Sequence, residues 1–221
     1  MSGPVPLFSI GTRVAGVVIV SGYLLGLVPG LVVSLVGGLA LITYGRALLL
    51  DSRAASLSVA ALAVTSGALG VAALRWETLD LAELRGVQAV LGPTVMVGPA
   101  ELSAAGIAAG AASLIALGVW WTAPTPVGRA WTLWSILEGA LWALAVVTVF
   151  FDPASSAWTG LGVGAFLVEL GRWVGAVAVA SAIAYGVAWV QRKLGPRLRM
   201  VPVGVAGVAV AAAVGVVILA G

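Results

Sequence analysis

Long apolar runs separated by short polar breaks dominate the chain. The run from Val14 to Leu50 carries "VPG" at 28–30 near its middle. Pro29 removes a backbone donor and Gly30 permits a turn, so the run divides there. An undivided helix of that length would exceed the bilayer. The pattern predicts a hairpin of helices over 8–28 and 31–50 with almost no loop between them. Further helices are predicted over 54–74, 100–121, 130–151, 162–190 and 201–220. Each is close to or above the roughly 20 residues that cross a hydrocarbon core about 30 Å thick. The helix over 162–190 is longer, so it tilts or begins outside the core.

One substantial polar interruption lies at 75–99. Asp80 followed by Glu83 gives an N-cap with an acid at the third position. Leu81, Leu84, Val87 and Leu91 then recur at helical spacing. A short amphipathic helix on the membrane surface is predicted over about 80–91, followed by a loop with Gly-Pro at 92–93 and 98–99. The fold class is therefore all-α: a polytopic integral membrane bundle of about seven transmembrane helices, forming a single membrane domain over 1–221.

Composition supports that class. The chain is 62% hydrophobic and 9% charged, against roughly 45–50% and about 25% in soluble domains. With seven spans, one side receives the amino terminus and the loops after the second, fourth and sixth helices. Arg13, Arg46, Arg53, Arg129, Arg192, Lys193, Arg197 and Arg199 fall there, and only Arg75 and Arg85 fall opposite. Basic residues favour the cytoplasmic side, which puts the amino terminus inside and the carboxyl terminus outside. Trp76, Trp120, Trp121, Trp131, Trp134, Trp158 and Trp189 lie near predicted helix ends, as an aromatic belt requires, and Trp142 sits at mid-span.

The absence of His and Cys rules out haem, iron–sulfur, copper and ordinary zinc ligation by those residues, as well as Ser-His-Asp and Cys-His catalysis. No catalytic, cofactor-binding or metal-ligating residue is assigned. Bound lipids or a quinone remain as ligands that need no such side chain. An excess of three positive charges without a clustered basic face argues against nucleic acid.

The polar residue that stands out is Glu138, inside "WTLWSILEGALWALAVVTVFF" (131–151). It lies about 12 Å from the boundary marked by Arg129, near mid-membrane. An acidic side chain there costs roughly 2.5–3.5 kcal/mol on insertion scales. Arg172 lies too far along its own helix to pair with it, whereas Arg13 matches it in depth. Tyr44 and Tyr185 also fall toward the inner half. The expectation is an inner-leaflet polar cluster of Arg13, Glu138 and one or both tyrosines, serving either as a proton or ion site or as a structural knot.

Glu169 and Arg172 are spaced i, i+3 and are expected to form an interfacial ion pair. Arg192, Lys193, Arg197 and Arg199 form a juxtamembrane basic patch suited to anionic headgroups or a partner. Small residues recur at four-residue spacing at Gly22/Gly26, Gly106/Gly110, Gly160/Gly164, Gly171/Gly175 and Ala211/Gly215, a pattern that lets helices approach closely.

These features fit a non-catalytic accessory or structural subunit of a larger plasma-membrane complex, such as a non-redox subunit of a respiratory-type, energy-transducing assembly. Its expected partners are membrane lipids and other membrane subunits. The alternative is a small transporter or channel built around Glu138. A membrane-embedded lipid enzyme ranks last, since Glu138 has no second acid beside it.

Overall fold

The computed structural model describes residues 4–24, 32–78, 83, 100–122, 129–151, 163–194 and 198–220. These residues form helices and turns, with no strand among them. Seven long helices follow one another: α1 (Pro4–Leu24), α2 (Val32–Ala47), α3 (Ser52–Arg75), α4 (Ala100–Thr122), α5 (Arg129–Val146), α6 (Val163–Lys193) and α7 (Val201–Ala220). Helix α5 ends in a π-helical turn, Val147–Phe151. Six of these segments are long and apolar enough to cross a membrane. The seventh helix, α2, has 16 residues, about 24 Å at 1.5 Å per residue. The chain is a helical membrane protein.

Helix boundaries shift from the predicted ones for local reasons. Helix α1 begins at Pro4 rather than residue 8, since proline is tolerated in a first turn, where its missing donor would be unsatisfied anyway. Helix α3 begins at Ser52 because Asp51 caps it, accepting from the Ala54 amide at 2.7 Å. Its other end is a Schellman turn. Thr78 N–H donates to the Ala73 carbonyl and Glu77 N–H to that of Leu74, with Glu77 at φ 51°. That conformation usually falls to glycine. The predicted surface helix over 80–91 lies outside the described residues except for Glu83, which accepts from the Thr78 hydroxyl at 2.5 Å.

Packing follows the small residues. Helices α1 and α2 run antiparallel, with Ser9 beside Gly45 and Gly16 beside Gly38. The Ser9 hydroxyl donates to the Gly45 carbonyl at 2.5 Å. A Cβ at Gly16 would sit 2.5 Å from the Gly38 carbonyl oxygen and 2.9 Å from the Ile42 amide, so only glycine permits this approach. Helix α4 is central, touching α3, α5, α6 and α7. Its Ala105, Ala109, Ala112, Ala116 and Gly118 are buried and lend it the slender profile that four neighbours require.

Helix α6 is peripheral. Ala180, Ala184 and Ala188 are buried, with Gly118 of α4 packed against Ala184 and Val187. The opposite side carries Gly164, Gly171, Gly175, Ala178, Ala182 and Gly186, all exposed. A Cβ added at any of those four glycines would meet nothing within 4 Å. Of the predicted small-residue pairs, Gly171/Gly175 therefore belongs to this open face. Gly110 instead sits in the core against Phe151.

Candidate functional site: a buried arginine–glutamate pair

Three charged side chains point inward because each continues a buried helical stripe. On α1 the stripe is Ser9, Arg13, Gly16, Val20; on α2 it is Leu35, Leu39, Ile42, Arg46; on α5 it is Ser135, Glu138, Trp142, Ala145. Spacings of three and four keep each set on one helix face. The bundle therefore brings Arg13, Arg46 and Glu138 together from three helices.

Arg13 grips Glu138 along one edge of its guanidinium. Its Nε donates to Glu138 Oε1 at 2.6 Å and its Nη2 to Oε2 at 2.8 Å. Arg13 is 1% exposed and Glu138 0%. This is the bidentate geometry in which a guanidinium binds a carboxylate most strongly, and it needs the planar donor set of arginine. The guanidinium also lies 5.1 Å from the Trp131 ring. The expected pairing of Arg13 with Glu138 across 125 residues is thus present.

The tyrosines lie elsewhere, which corrects the expected cluster. Tyr44 is 52% exposed, its ring edge-on to Phe8. It lies two residues from Arg46, so the same turn that buries the arginine directs Tyr44 outward. Tyr185 is 58% exposed on α6, next in sequence to the buried Ala184. Depth alone brought these residues into the expected cluster, and helix rotation excludes them.

Arg46 takes their place. Counted from sequence as a loop residue near a helix end, it is 2% exposed inside the bundle. Its guanidinium lies 3.9 Å from the Trp120 ring, and the Trp120 and Trp142 rings are 5.3 Å apart. Its helix packs against both α1 and α5, which puts its charge in the same buried cluster as those of Arg13 and Glu138. Trp120 is fully buried, so it belongs to this column of rings and not to the aromatic belt. A guanidinium on an indole face is a favourable cation–π arrangement, and desolvation strengthens it. With Arg13 and Arg46 both in the interior, the charge asymmetry of the loops rests on six basic residues against two, with the same sign.

The other predicted residues are more dispersed. Arg172 is exposed on α6, and the side chain of Glu169 lies outside the described residues. Arg192 and Lys193 are exposed at the end of α6, where Lys193 Nζ lies 5.6 Å from the Trp189 ring. Gln191 is buried and donates to the Arg199 carbonyl at 2.6 Å, tying the end of α6 to the turn before α7. Arg197 lies outside the described residues. No group of three or more acidic side chains placed to hold a metal occurs among the described residues.

Chemically, the pair holds a carboxylate whose two oxygens are both bonded to one cation, with a second cation nearby. Such an arrangement clamps α1 to α5 and places α2 against both. Comparison of the chain with protein-family models, curated proteins and solved structures gives no match.

Proposed function

We propose that the chain is a non-catalytic accessory subunit of a larger plasma-membrane assembly, and that the outward face of α6 is where it docks. The observation that carries this reading is the open small-residue face itself. Between Gly164 and Gly186 four glycines and two alanines lie on one side of a helix about 46 Å long, with Val168 and Trp189 the larger exposed residues at the same angle. Within lipid, close helix approach at small residues is a main source of association, because no hydrophobic drive acts between helices there. A face this smooth gives a single lipid-bathed chain little and a neighbouring helix much. The apolar side chains flanking it, Leu167, Val174, Val179 and Ile183, are exposed as well.

The Arg13–Glu138 pair supports the same reading. Carrying a proton or ion through Glu138 would require the carboxylate to release both bonds to Arg13 inside the bundle. A structural clamp needs no such step. This favours the clamp over a transporter built around Glu138.

The test is isolation of the tagged chain from its native membrane in mild detergent, comparing the parent with Gly175→Leu. Stoichiometric recovery with a larger membrane chain, lost in the variant while the fold persists, supports the proposal. A parent that isolates alone, or a variant that retains its neighbour, refutes it.

A further inference from the structure

Between α1 and α5, on the outer side of the ion pair, lies a notch of about 200 Å³ lined by Ile10, Arg13, Val14, Trp131 and Trp134. Ile10 and Val14 are exposed, as are Leu133, Ile136 and Leu137 along α5. Among the described residues the notch therefore opens sideways, toward lipid. Its wall is almost wholly hydrocarbon and indole, with one charged side chain at its floor. That side chain, Arg13, is 1% exposed. Glu138 takes its Nε and Nη2. Two of its five N–H groups are thereby used, and Nη1 is the end of the fork that Glu138 leaves free for the notch.

Size, lining and charge narrow the occupant. An apolar cavity of about 150 Å³ accepts a benzene ring, so this notch takes one ring and not a whole drug-sized molecule, for which about 300 Å³ or more is usual. A phosphate or carboxylate entering this apolar notch would shed most of its hydration for a cluster that, with Arg46, carries one net positive charge, and the phosphatidylglycerol arm of the test separates that rival. A neutral carbonyl oxygen asks only for one N–H, and Nη1 offers it. Indole faces suit a flat ring.

We propose that this notch binds the neutral, carbonyl-bearing ring of a lipid-soluble amphiphile of the quinone type, with Arg13 Nη1 donating to the carbonyl oxygen and the tail lying in the bilayer. The inference concerns binding alone and stands apart from the docking role of α6.

The test measures binding of a short-tailed alkyl benzoquinone to the full chain in nanodiscs by equilibrium dialysis. The lipid is phosphatidylcholine, with or without phosphatidylglycerol. Val14→Phe and Ile10→Phe fill the notch without touching the ion pair, and thermal unfolding checks that each variant is folded. The expected result is saturable binding of about one ring per chain, weakened at least tenfold in either folded variant and unaffected by phosphatidylglycerol. Two results would overturn the proposal. One is uptake that rises without saturation, or is equal in parent and variants. The other is displacement of the quinone by phosphatidylglycerol, which would make the notch a site for anionic headgroups.

Discussion

Replacing Glu138 by Gln removes the carboxylate that Arg13 holds at 2.6 and 2.8 Å, the one buried acid, among the described residues, in a bundle that also buries Arg46. Breaking a fully buried pair from one side costs about 3–5 kcal/mol in soluble cores, because a charge is left behind without its counter-ion. In a membrane the unfolded state also finds polar partners, which lowers such costs, so a loss near 3 kcal/mol is expected. Arg13→Met should cost less, since Glu138 keeps Arg46 in range. The double variant Arg13→Met with Glu138→Leu should remain destabilised, because Arg46 has then lost its nearby carboxylate. Adding Arg46→Met should recover most of the loss, as apolar replacement of a complete buried charge cluster is often neutral or better. Reversible unfolding in mixed micelles, titrated with a denaturing detergent and read by far-UV circular dichroism, gives all four values. A Glu138→Gln variant within about 1 kcal/mol of the parent would refute the clamp. So would Arg13→Met proving costlier than Glu138→Gln.

Four further outcomes follow from the backbone geometry and the topology. Gly16→Ala drives a Cβ into the backbone of Gly38 and Ile42 and should cost about 1–3 kcal/mol by overpacking. Gly37→Ala, one residue from Gly38 but with nothing within 4 Å, should be neutral or stabilising by up to about 1 kcal/mol through helix propensity; the same unfolding assay compares the two. Glu77→Gly relieves a left-handed residue at the end of α3 and should stabilise the folded state by about 1 kcal/mol, visible as a raised midpoint. Single-cysteine labelling, simple in a chain without cysteine, should find positions 2 and 221 on opposite sides of the membrane, with position 2 cytoplasmic.

The helices and the ion pair were legible in the sequence for different reasons. Helices of span length announce themselves by uninterrupted apolar composition, and the "VPG" break separated α1 from α2 correctly. The partnership of Arg13 with Glu138 followed from depth, because an acid at mid-span needs a cation at its own level. Depth is a one-dimensional coordinate, and it also admitted Tyr44 and Tyr185, which rotation turns outward. Arg46 was missed for the converse reason. Its place near a helix end made it look like a loop cation, yet Leu35, Leu39, Ile42 and Arg46 form one stripe at spacings of four, three and four. Following that stripe would have buried it. The close contact of Gly16 with Gly38 was hidden because the two glycines lie on different helices, and no spacing within one helix reveals a contact between two. Conversely, Gly171 and Gly175 were visible as a pair, but their facing away from the bundle depends on which side of α6 meets α4.

The docking role is tested most directly at Ala178, in the middle of the open face of α6. A photo-activated cross-linking side chain placed there, and at Val18 on the exposed side of α1 as control, is irradiated in the native membrane. Docking through α6 gives one discrete adduct from position 178 with a different, larger membrane chain and only lipid adducts from position 18. Lipid adducts alone from position 178, or adducts confined to a second copy of the same chain, would contradict it.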